Sequence, residues 1–206
     1  MRAYCYTLMM RLSPSFTLDQ LIHSDTAQQH GIDNRPLDAH LSNLRRLAAA
    51  LEAIQQLLRQ PLFITSAYRN PEVNKLVGGV PASKHALGLA ADFVCPALGE
   101  PLAIARAIAA SVIEYDQLIH EYGRWVHLGL APSGVAPRAQ LLTICSGAGG
   151  YQDGLLPCPN VSTSANDKAA PAIPAISAVP AAPSEPAAPA KIVAPAAPTA
   201  PAATHR

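Results

Sequence analysis

At 206 residues, with 15 Lys and Arg against 14 Asp and Glu, the chain holds one ordinary domain and carries a net charge of only +1. It has no basic run of the kind that nucleic acid needs, so a nucleic-acid partner is excluded. No apolar stretch outside the proline-rich C-terminal part approaches the ~20 residues that cross a bilayer, which excludes a membrane span.

The start, from Met1 to Arg11, makes a poor export leader: its apolar run is short, Arg11 ends it, and no small-residue cleavage site follows. The protein is therefore expected in the cytoplasm until released by another route, unless Met9 or Met10 is the true initiator. Thr17 and Gln20 read as a capping box, with Phe16 and Leu21 as its hydrophobic staple, and predict a short helix. A second short helix is expected from Ser24, ending before Gly31. Leu37, Leu41, Leu44, Leu47, Leu51, Ile54 and Leu58 recur at three- and four-residue steps, one face of a long amphipathic helix over about residues 37–59 that Pro61 closes.

Leu62 to Tyr68 is β-branched and aromatic enough for a buried strand. A short helix over Pro71–Leu76 and a loop at Gly78-Gly79 follow. Ala90–Val94 reads as a strand with Asp92 in its middle, and residues 100–112 as a helix. Residues 116–121 and 124–130 form a hairpin turning at Tyr122-Gly123, and a last strand lies at 141–144. Strands gathered in the second half, with helices before and between, predict an α+β domain with a small, mainly antiparallel sheet packed by helices.

This domain is placed at 12–145, with a Gly/Ser-containing linker at 146–167. From Lys168 to Arg206 the chain is mostly Ala and Pro without Phe, Tyr or Trp, and is expected to be a disordered spacer or weak tether. The four cysteines show no C-x-x-C pairing. Cys95 ends an apolar run and reads as a buried, inert thiol. Cys145 and Cys158 flank a glycine-rich stretch and could pair on export, but four reduced thiols fit a chain without an export signal.

Chemistry concentrates in Ser83-Lys84-His85-Ala86-Leu87-Gly88-Leu89-Ala90-Ala91-Asp92 and in Trp125-Val126-His127. Two imidazoles and a carboxylate are what zinc takes when one coordination position stays open, so the set reads as a catalytic metal site. The first stretch resembles the S-x-H-x-x-G-x-A-x-D signature of the zinc D-alanyl-D-alanine carboxypeptidases, peptidase family M15. That family also takes in peptidoglycan endopeptidases, among them phage endolysins. Phe16-Thr17-Leu18, Ser24 to Ala27, Ser66 to Arg69, Asn74, Gly78-Gly79 and Gln117-Leu118-Ile119 with Glu121 resemble its short, phage-type subgroup in the same order.

The resemblance implies a hedgehog/DD-peptidase-like fold and one zinc per chain on His85, Asp92 and His127. It implies that Arg69 binds substrate; Ser83 orients His85 or contacts substrate, with a capping or turn role for its hydroxyl equally open. The general base is expected to be Glu121, with His120 and Asp116 as the alternatives. A three-residue hairpin loop pairs Glu121 with Trp125 and puts it on the face of His127, whereas a two-residue loop brings His120 there. The family more often has its acid three residues before the last histidine, where this chain has Arg124. The implied activity is a zinc metallopeptidase, a monomer, that cuts the stem peptides of bacterial peptidoglycan as a carboxypeptidase or endolysin-type endopeptidase. A phage or prophage origin is expected, and the alternative is a non-catalytic, zinc-containing wall-binding or phage structural module.

Overall fold

The computed structural model of the chain describes residues 10–147 and 149–159. The expectations for the N-terminal start, for Cys5, for residues 160–167 of the linker and for the tail at 168–206 lie outside the described residues. Helix α1 (Leu18–Ile22) opens with the capping box: the Gln20 N–H donates to the Thr17 hydroxyl and the Thr17 N–H to the Gln20 side chain at 2.8 Å. Phe16 and Leu21 are buried beside it. Helix α2 (Asp25–His30) is capped by Ser24 and stopped by Gly31. Helix α3 (Asp38–Leu58) buries Leu44, Leu47, Leu51 and Ile54 completely, each contributing about 1.5–3 kcal/mol.

Strand β1 (Phe63–Ser66) and helix α4 (Pro71–Leu76) lead to a 3₁₀ turn at Lys84–Leu87 and strand β2 (Ala90–Val94). Helix α5 (Pro101–Ala109) is shorter than its apolar composition suggests. It buries Ile104, Ala105 and Ile108, but Val112 falls beyond the contact and is almost fully exposed. Strands β3 (Gln117–Glu121) and β4 (Trp125–Gly129) form the hairpin, followed by β5 (Gln140–Ile144) and β6 (Gln152–Asp153). The sheet runs β1-β2-β4-β3-β5-β6. Every neighbouring pair is antiparallel except β3 with β5, which gives the expected α+β architecture.

Side-chain alternation divides the sheet into two unlike faces. Phe93, Leu118, Val126 and Leu128 point to one side and join the leucines of α3 and the isoleucines of α5 in the main core. Asp92, His127, Ile119 and Glu121 fall on the other side, because Asp92 pairs with His127, His127 with Ile119, and Glu121 with Trp125.

Two expectations need correction beyond Ile144. The segment read as linker contains β6, whose Gln152 and Asp153 pair with Thr143 and Leu142, so the sheet continues past residue 145. Cys145 and Cys158 are joined in a disulfide rather than reduced, with their Cα atoms 5.3 Å apart. The turn through β6 is what returns Cys158 to the end of β5, a long-range closure that cysteine spacing alone does not reveal. Cys95 is a buried free thiol as expected.

Candidate metal centre

The local sequence explains why His85 and Asp92 meet. The Ser83 hydroxyl accepts the His85 backbone N–H and starts the 3₁₀ turn, a capping role. Gly88 ends the turn in the left-handed region at φ +69°, where its Cα faces Leu44 of α3 so closely that a Cβ would come within 3.0 Å of the leucine side chain. The chain then reverses into β2, which puts Asp92 under His85. His127 arrives on β4, directly across from Asp92.

Three atoms converge there. His85 Nδ1 donates to the Ala67 carbonyl at 2.6 Å, which leaves the Nε2 lone pair facing inward. That Nε2 lies 3.3 Å from His127 Nδ1 and 3.3 Å from Asp92 Oδ1. His127 Nδ1 lies 2.8 Å from the same Asp92 oxygen. All three residues are buried, and they form a group that could hold a metal ion. A tetrahedral ion with bonds of ~2.0–2.2 Å has ligand-to-ligand edges of ~3.3 Å, so the donors and their spacing fit zinc, with the third edge opening slightly.

Electrostatics favour the same state. Burial alone would raise the Asp92 carboxyl, but the two imidazoles outweigh it and hold it well below the usual carboxylate range. Burial pushes the His85 imidazole down, toward the neutral form that binds metal. For His127 burial acts downward too, but the hydrogen bond and charge of Asp92 prevail and raise it.

Arg69 stands at the edge of this group, bound to the carboxylate. Its Nη2 donates to Asp92 Oδ2 at 2.7 Å and its Nε to Ser66 Oγ at 2.8 Å, so it steadies the carboxylate from behind. The reason is register: Ser66 pairs with Asp92 across β1 and β2, and Arg69 leaves the end of β1 beside both.

The three candidate bases are separated by the hairpin. Its loop is Tyr122-Gly123-Arg124, with the Arg124 N–H on the Glu121 carbonyl at 2.9 Å and Glu121 paired to Trp125. Glu121 therefore shares the face of His127, and its carboxylate accepts the Trp125 indole N–H at 3.0 Å. Burial, and then the nearby negative charge of Asp92, push its carboxyl up to about 7. His120 points to the opposite face, where its Nδ1 donates to the Leu156 carbonyl at 2.9 Å. Asp116 is enclosed by cations: Lys84 Nζ and the Arg138 Nε and Nη2 all donate to it. These contacts, Arg138 first and against the effect of burial, hold its carboxyl well below the usual range, so it cannot take up a proton near neutrality.

Sequence reasoning missed this Lys84–Asp116–Arg138 cluster. Lys84 lies within the motif, but Arg138 comes from beyond the hairpin and had no spacing to announce it.

The family model described as Peptidase M15 matches residues 14–129, more than half of the chain and every residue of the metal-binding group. No curated protein matches the chain.

Proposed function

Since the chain belongs to the Peptidase M15 family, we propose that it is a zinc metallopeptidase that hydrolyses peptide bonds in the stem peptides of bacterial peptidoglycan. The observation that carries this reading is the convergence of His85 Nε2, Asp92 Oδ1 and His127 Nδ1 on one sheet face that also bears Glu121. Those three atoms would hold one zinc per chain, which when bound would supply Lewis-acid polarisation of the scissile carbonyl and a lowered pKa for water.

The remaining work falls to the chain's own residues. Glu121, with a carboxyl near neutrality and fixed by Trp125, accepts a proton from the attacking water and hands it to the departing amine. The water oxygen ends on the acyl carbon and the C–N bond breaks. Arg69 holds Asp92 Oδ2 so that Oδ1 stays turned to the histidines, and the family resemblance adds a contact from its guanidinium to a substrate oxygen. Ala67 and Ser83 fix the His85 ring and its turn. The catalytic unit runs from about residue 12 through the Cys145–Cys158 disulfide. Its likeness to the short phage-type subgroup favours internal cleavage, as by an endolysin.

Digestion of purified peptidoglycan with and without a chelator tests this. Release of peptide fragments, abolished by the chelator and restored by zinc, is the expected result, and the new termini identify the bond. A protein that holds zinc but releases no fragments would instead fit a non-catalytic wall-binding module.

A further inference from the structure

The family match ends at Gly129, yet the face that carries the metal-binding group continues across two more strands. There β5 adds Leu142 and Ile144 beside Ile119, and Tyr122 packs against this small apolar floor. β6 pairs Gln152 with Thr143. One step further in that register brings Tyr151 opposite Ile144, and alternation turns it to the face of Glu121. The phenol lies within electrostatic reach of Glu121, Tyr122 and Asp92. The phenol hydroxyl, un-ionised near neutrality, is a hydrogen-bond donor there.

The segment is tied down on both sides, although Tyr151 itself is 61% exposed. The disulfide closes it, the Thr143 hydroxyl donates to the Gly154 carbonyl at 2.8 Å, and the Leu156 N–H donates back to Thr143 at 2.9 Å. The backbone is thus fixed while the large aromatic ring stays open to solvent beside the site, an arrangement that core packing does not require. β6 lies two strand spacings, ~10 Å, from β3, a gap that about three residues of extended peptide span.

Resting on the peptidase reading above, we propose that Tyr151 is a substrate-contacting residue: its hydroxyl donates to a main-chain oxygen of the stem peptide on the Glu121 side of the metal group, and the disulfide-closed segment forms that wall of the cleft. Arg69 and Tyr151 then bracket the peptide from opposite ends of the face.

The test uses full-length zinc-loaded protein and soluble stem-peptide fragments cut from peptidoglycan by a glycosidase. Binding to the Glu121→Gln chain is measured by calorimetry with Tyr151, Tyr151→Phe and Tyr151→Leu, and KM and kcat are measured with Glu121 intact. Loss of one hydrogen bond should weaken binding and raise KM roughly 3–10-fold in Tyr151→Phe, with kcat within about twofold and zinc content unchanged. Binding by Tyr151→Phe equal to the parent overturns the contact, whether or not Tyr151→Leu binds worse. So does a loss of zinc or a lowered melting temperature, which would mark a structural role. If the unmutated chain cleaves nothing while Tyr151→Phe still weakens binding, the peptidase reading falls and the contact stands. If the chain cleaves but no variant differs, the reverse holds, and absence of binding by every chain overturns both.

Discussion

Strand β3 has a carboxylate at each end, and the molecule holds the two in opposite ways. Asp116, just before the strand, receives Lys84 and both Nε and Nη2 of Arg138, together with the Arg138 backbone N–H at 3.0 Å. Glu121, its last residue, receives the Trp125 indole and faces the negative charge of Asp92. Neither is fully open to solvent: Asp116 is buried and Glu121 half-buried. With cations around it, the carboxylate becomes a clamp that stays ionised well below the usual carboxylate range; with an indole and another anion, it becomes a group that exchanges a proton near pH 7. Sequence distance or residue type would not have separated them, whereas the partners do.

The largest test of that contrast is on activity. Glu121→Gln should keep the fold and its zinc and lose about 10²–10⁴-fold in hydrolysis, the usual contribution of a general base. His120→Gln, on the other face of the same strand, should keep most activity. Measured rates with Glu121→Gln unimpaired would remove Glu121 from the mechanism.

The other end of the strand should respond in stability. Asp116→Asn removes charge-assisted hydrogen bonds and should cost roughly 1.5–3 kcal/mol, several degrees in Tm. The pH dependence follows from the direction of the shift. The folded Asp116 carboxyl lies below its unfolded value of about 3.9, so its contribution is present above that pH and fades as the solution is acidified further. Thermal melts of the asparagine chain should therefore lose part of the acid sensitivity seen with aspartate. Because Lys84 precedes His85, zinc affinity should also fall modestly. A melting curve indifferent to this substitution would mean that the clamp is merely a surface ion pair.

The two ends were unequally legible in the sequence. The helices of the first half followed from capping residues and leucine spacing, and the hairpin from Tyr122-Gly123, so the face shared by His127 and Glu121 could be stated as one of two registers. The approach of His85, Asp92 and His127 was equally readable, since the first two are joined by one tight turn and the third by one strand pairing. What escaped depends on contacts between distant segments. Arg138 reaches Asp116 across the end of the hairpin, Arg69 also binds Asp92, and β6 with its disulfide forms from residues whose glycine-rich composition reads as linker. Composition describes a segment's own preferences, but these features are decided by what the segment lands on.

Level with the middle of β3, two strands away on β2, stands a third carboxylate, Asp92, and it sharpens the comparison through the metal. Its hydrogen bond and charge raise His127 above the ordinary imidazole value of about 6.5, so protons compete with zinc for that ring from above that pH downward. The apparent zinc affinity should be level in mild alkali and then fall by up to roughly tenfold per pH unit on acidification, as measured by competition with a chromogenic chelator. Asp116→Asn should shift this curve without changing its slope. An affinity independent of pH between about 5 and 8 would show that the histidines are not ligands.

The smallest effect concerns Glu121 as a cost to the fold. Its folded carboxyl, at about 7, lies above its unfolded value of about 4.3, so the native state binds more protons than the unfolded chain between those values. Stability therefore declines as pH rises through that window and is level above it, the reverse of the dependence at Asp116. In zinc-free protein, Glu121→Gln should melt at the same temperature as the parent near pH 4 and at a higher one near pH 8, because the amide never ionises in its half-buried site. Zinc should shrink the difference, since a nearby dication favours the ionised carboxylate. If the parent and the glutamine chain melt together at both pH values, Glu121 is better solvated than its position on the sheet implies, and the contrast between the two ends of β3 would rest on Asp116 alone.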